Sequence, residues 1–205
     1  MQDAHVGSWR REAHVPVEML ESVHELNHRF LDLVARSSEG WGAARRGLST
    51  AVSEWVAPLS AAEKSAAASC PYALFDLRFH DDGHWRMRLG HAAYGSVAEA
   101  APVDADTLEF VRLALFFAWH VASTAKLAAQ LLMGMHEGTA AAFQGATIDC
   151  LPSLAATEAA YLTARWNTCG TYWTALTGAA SRRNPATLRR IQLYGLQLAA
   201  ASRLT

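Results

Sequence analysis

In the first part of the chain, apolar residues return every three to four positions. Set at about 100° intervals, Met19, Leu20, Val23, Leu26, Phe30, Leu33 and Val34 form one stripe, which predicts a helix from Pro16 to about Arg36. Asn27 lies inside the stripe and His24 at its edge, while Glu21, Glu25, His28 and Asp32 lie opposite. A second helix is predicted from about Ala43 to Ala57, stopped by Pro58. Ser60 then reads as the N-cap of a short alanine-rich helix, with Glu63 completing a capping box, and Pro71 ends it.

The period then changes. Phe75, Leu77 and Phe79 alternate with Asp76, Arg78 and His80, Asp-Asp-Gly follows, and Trp85, Met87 and Leu89 alternate with Arg86 and Arg88. This alternation predicts a β-hairpin over about 74–89, although Phe75 and Phe79, four apart, also fit an amphipathic turn of helix.

From Asp104 or Asp106 a long apolar helix is predicted to about Met135, followed by a short one through Thr139–Ile148. Pro152 opens the next, with Thr157 to Thr177 carrying Tyr161, Trp166, Tyr172 and Trp173. Asn184 and Pro185 cap and open the last. The expected class is mainly α: a single helical domain over 1–205, a bundle around a buried central helix at about 104–135, with one inserted hairpin and a flexible arm at 1–14.

Half of the 205 residues are apolar, enough for one sizeable core. Of the basic residues only Lys64 and Lys126 are lysines, an arginine and alanine bias that fits a bacterial source. Net charge is −1, so no global field draws nucleic acid or an anionic membrane. From Cys150 onward Glu158 is the only acid, so the last quarter is basic. Three cysteines without a CxxC pair indicate neither a disulfide framework nor a zinc knuckle, and fit a reducing cytoplasm. The N-terminus lacks the apolar core of a secretory signal, and the apolar stretch 108–135 is interrupted by Arg112, His120, Lys126 and Gln130.

Residues 24–28, His-Glu-Leu-Asn-His, match the spacing by which zinc hydrolases hold metal and a general base on one helix. A catalytic zinc site also needs a third ligand and a shielded water position. Here no His-x-x-Gly-x-x-His extension follows, and Glu25–Arg29 and Asp32–Arg36 are i,i+4 pairs of a solvated face. The expectation is a helix surface, with metal at His24 and His28, a metal set including Asp32, or a covering subunit as alternatives.

His80, Asp81, Asp82, His84 and His91 are metal-competent around the Asp-Asp-Gly turn, which is also ordinary turn chemistry. In the hairpin register Asp76 faces Arg88 and Arg78 faces Arg86, so the opposed arginines call for an acid or a bound anion between them. On the central helix Ala114, Ala118 and Ala122 form a small-residue strip; His120 beside it reads either as an axial haem ligand or as a histidine bonded to a neighbouring helix or emerging at the surface. On the aromatic helix, Trp166, Gly170 and Trp173 share a face, and Cys169 reads as a small buried hydrophobe. Arg182, Arg183, Arg189 and Arg190 surround a helix N-terminus, which suits an anion or an acidic partner as well as plain solvation.

The leading expectation is a non-enzymatic cytoplasmic helical protein acting by protein-partner binding and self-association, as a homodimer and in a regulatory capacity, with an acidic protein as a further partner. No cofactor is expected. The alternative is a bundle with a histidine-lined site for a small molecule, haem or a divalent metal. Nucleic acid and membranes are not expected partners.

Overall fold

The computed structural model describes residues 15–37, 50–93 and 103–201. The expected arm at 1–14 and the start of the second helix, 43–49, lie outside the described residues. The fold is mainly α, as the periodicity predicts.

Helix α1 (Val17–Ser37) opens with the Pro16 carbonyl accepting the Met19 and Leu20 amides. Its stripe is buried apart from half-buried Leu20. Fully buried Asn27 serves the backbone of another segment: Nδ2 donates to the carbonyls of Ala68 (3.2 Å), Cys70 (3.3 Å) and Tyr72 (2.9 Å), and Oδ1 accepts the Leu74 amide (2.8 Å). One polar residue in the stripe thereby satisfies an irregular chain that has no ladder of its own. Helices α2 (Thr50–Val56) and α3 (Ala61–Ala68) pack on α1, and α3 starts with the expected Ser60–Glu63 capping box.

The hairpin expectation is corrected in its second half. Strand β1 (Phe75–Asp76) begins where the alternation begins, but pairs antiparallel with β2 (Thr163–Ala164), Phe75 opposite Ala164 and Asp76 opposite Thr163. The residues expected to return as a strand form helix α4 (Asp82–Ala93). The Asp-Asp-Gly segment is a helix start: Asp81 accepts the His84 amide at 2.9 Å. Trp85 and Leu89, four apart, then face the core while Met87 points outward.

Helix α5 (Ala105–Thr124) has Asp104 as its N-cap, bonded to the Thr107 amide at 2.9 Å. It buries the strip Ala114, Ala118 and Ala122 and packs against α1 and two later helices, yet Arg112, Leu113 and His120 are exposed. It is also shorter than expected. The chain opens at Ala125, re-forms as α6 (Lys126–Ala128) and a π-helical turn (Ala129–Met133), and ends on Gly134 at φ 74°. Apolar residues continue through the break, so periodicity does not mark it; the break lets the Leu132 carbonyl accept the Ala73 amide at 2.7 Å. The Arg165 guanidinium occupies the space where a side chain at Gly134 would stand.

Helices α7 (Glu137–Gln144) and α8 (Leu151–Glu158) both pack on α5. The N-terminus of α7 is capped from outside, by Asp82 of α4, whose carboxylate accepts the Thr139 amide (2.7 Å) and hydroxyl (2.9 Å). The single helix expected through 157–177 is corrected as well. After α8 come a 3₁₀ turn (Ala159–Tyr161), β2 and Trp166 at φ 52°, and only Gly170 opens α9 (Gly170–Ser181). Pairing wins over propensity here: the Arg165 amide donates to Leu74 and the Trp173 indole to the Arg165 carbonyl.

Aromatic groups mark the core: Phe30, Phe75 and Phe110; Phe79, Trp85 and Phe143; and Tyr72, Trp166, Tyr172 and Trp173. Helix α10 (Pro185–Ala201), capped by Asn184 as expected, lies over the last group and against α9. Gly195 admits the Tyr72 hydroxyl, which bonds that of Tyr172 at 3.1 Å. Among the described residues no helix is long and apolar enough to cross a membrane.

Candidate functional site

The His24–His28 face is not bare. The end of α3 walls one side of it, leaving a groove of about 550 Å³ lined by His24, Glu25, His28, Arg29, Ser65, Ala68 and Ser69. Glu25 is turned to Arg29 at 2.8 Å, the expected pair. The expected Asp32–Arg36 pair is replaced: Arg36 meets Asp106 at 3.3 Å, and Asp32 holds His28 Nδ1 at 3.2 Å and Lys64 at 2.9 Å. His24 Nε2 is buried without a hydrogen-bond partner, and burial draws the ring below its ordinary pKa, with Glu21 acting weakly in the opposite sense.

A second cluster lies between α4 and α8. Glu158 is fully buried, with His84 Nε2 on one carboxylate oxygen at 2.7 Å and Arg88 Nε on the other at 2.5 Å. Burying a carboxylate requires such partners. Tyr161 packs edge-on to His84, and the Arg78 guanidinium lies over the same Tyr161 ring at 4.7 Å. Arg78 itself sits at φ 58°. The arrangement can orient His84 and gather positive charge, and it replaces the Asp76–Arg88 and Arg78–Arg86 oppositions expected of a hairpin. Arg86 instead bonds the Asp82 carbonyl.

The other metal-competent histidines are dispersed. His80 is mostly exposed and pairs with Asp76 at 3.5 Å, near the ring of His136. The Asp76 bond and charge raise the His80 pKa. For Asp76, burial pushes upward, but His80, Arg165 and the Phe79 amide outweigh it and hold the carboxyl low. His91 is exposed in the last turn of α4, and His120 is exposed on α5. Among the described residues no three His, Cys, Asp or Glu side chains are placed to share a metal ion.

Cys169 is the residue before α9 and only partly buried; the Thr171 hydroxyl at 3.4 Å draws its pKa down. The face shared by Trp166, Gly170 and Trp173 does not exist, because helix begins only at Gly170; that glycine instead makes room for Trp55. Burial pushes the Cys70 thiol up to about 12, leaving an inert core thiol.

Arg182, Arg183, Arg189 and Arg190 are all exposed, and among the described residues none lies within salt-bridge distance of a carboxylate. Helix α10 contains no acid, buries only Gly195 and Ala199, and leaves Leu193 60% and Tyr194 37% exposed. Sequence reasoning found the arginines but not the exposed Leu193 beside them. The signal was present as Leu193, one turn after Arg189 and Arg190, on the side of α10 away from Gly195 and Ala199; Tyr194 instead leans back toward the buried Tyr172, with ring centroids 6.4 Å apart. Compared with protein-family models, curated proteins and solved structures, the chain finds no match.

Proposed function

We propose that this is a non-enzymatic cytoplasmic helical protein that works by binding protein partners, first of all a second copy of itself, through the outer face of α10. The observation that carries the reading is that face: Leu193 exposed one turn beyond Arg189 and Arg190, on a helix without a single acid. An exposed leucine beside basic residues fits a protein contact better than a polyanion groove, since the helix offers a single tyrosine for stacking and that ring is turned toward Tyr172.

A second copy supplies the complement. Glu18 and Glu21 are exposed at the start of α1 and take part in no ion pair among the described residues. Gln192 ties α10 to Ser69 at the end of α3, and α3 packs along α1, so the basic and acidic helices flank one element. Two copies related by a two-fold axis then place each α10 against the other's α1, a closed contact made twice.

Charge reversal tests this arrangement. The double substitution Arg189→Glu, Arg190→Glu weakens self-association, as does Glu18→Arg, Glu21→Arg. Mixing the two variants in equal amounts restores one of the two contacts in a hetero-pair. Failure of the mixture to associate more strongly than either variant alone contradicts the pairing of α10 with α1.

A further inference from the structure

We infer that His24 and His28 form a two-histidine site for a divalent transition-metal ion at the wall of the groove between α1 and α3. The two residues lie one turn apart on the same helix and line the same groove. His28 is pre-oriented: its Nδ1 is on the Asp32 carboxylate at 3.2 Å, and Asp32 is in turn held by Lys64 at 2.9 Å, which leaves His28 Nε2 for another partner. A carboxylate behind the non-ligating nitrogen is the usual support of a metal-binding imidazole. His24 contributes a buried Nε2 that no protein group satisfies, and a buried polar atom left alone costs about 1–3 kcal/mol.

The chemistry selects the class of ion. Paired imidazoles suit zinc, nickel or copper, not calcium or magnesium, which take oxygen ligands. With no third His, Cys, Asp or Glu placed to share the ion among the described residues, water completes its coordination. Glu25 is engaged by Arg29, so the site holds an ion without the general base that the His-Glu-x-x-His spacing suggests.

The test is a calorimetric titration of the metal-free full chain with zinc chloride, then nickel chloride. One equivalent is expected to bind, and His24→Ala or His28→Ala each weakens it about tenfold or more, while Asp32→Asn weakens it by a smaller factor. His91→Ala and His120→Ala, exposed and outside the groove, leave it unchanged. Circular dichroism confirms that each variant is folded, and His28→Gln replaces His28→Ala if that variant is not. No binding to the wild-type chain, binding that survives the loss of both His24 and His28, or equal loss in His120→Ala overturns the assignment.

Discussion

His84 Nε2 lies 2.7 Å from a carboxylate oxygen of Glu158, a residue with no solvent-accessible surface, and this contact joins α4 to α8. With Arg88 on the second oxygen, the buried charge is matched on both sides.

Removing the acid strands two buried or nearly buried donors. Glu158→Ala is expected to lower stability by about 3 kcal/mol. Urea unfolding then shows a lower midpoint with an unchanged slope. A wild-type midpoint in Glu158→Ala contradicts the structural weight given to this cluster.

Asn27 offers a sharper case, because Leu is close to Asn in size and suits the apolar stripe. Asn27→Leu strips partners from the carbonyls of Ala68, Cys70 and Tyr72 and from the Leu74 amide. A loss of about 2–4 kcal/mol is expected despite the gain in hydrophobicity. Hydrogen exchange at Leu74 accelerates in the variant; unchanged protection there sinks the idea that Asn27 clamps the segment.

Asp76 and His80 give the fold a pH dependence. The His80 pKa is raised above its ordinary value of 6.5, chiefly by the Asp76 hydrogen bond, against burial, with the charges of Asp76 and Asp81 adding and Arg78 opposing. Its contribution is therefore full below about pH 6.5 and is lost as pH rises through the raised folded value. The Asp76 pKa is depressed, so its contribution is present above the ordinary value of 3.8 and is lost as pH falls through the lowered one. The pair stabilises most between these limits. His80→Gln is expected to flatten the fall in melting temperature from mildly acidic to mildly alkaline pH, and an identical pH profile in the variant refutes the coupling.

Much of the fold was legible because helix signals are local. The Ser60–Glu63 box, the Asp104 and Asn184 caps and the α1 stripe all stand where periodicity and capping chemistry place them. The errors share a cause: a non-local partner overrode a local pattern. Alternation after Phe75 was real, but β1 found its mate at Thr163–Ala164, and Asp81 made the next residues helical. That one misreading also displaced Arg88 from Glu158 to Asp76, so the buried cluster stayed hidden although Glu158 stood out as the only acid near the C-terminal end. Likewise the groove beside His24 depends on where α3 ends in space, which no spacing within α1 can reveal.

The most direct measurement is sedimentation equilibrium of the untagged chain beside its Leu193→Glu variant. Leu193 is 60% exposed, so the substitution disturbs no core packing. A dimer for the wild type and a folded monomer for Leu193→Glu is the expected result. A wild type that stays monomeric at the highest concentration, or a dimer that Leu193→Glu leaves intact, contradicts self-association through α10.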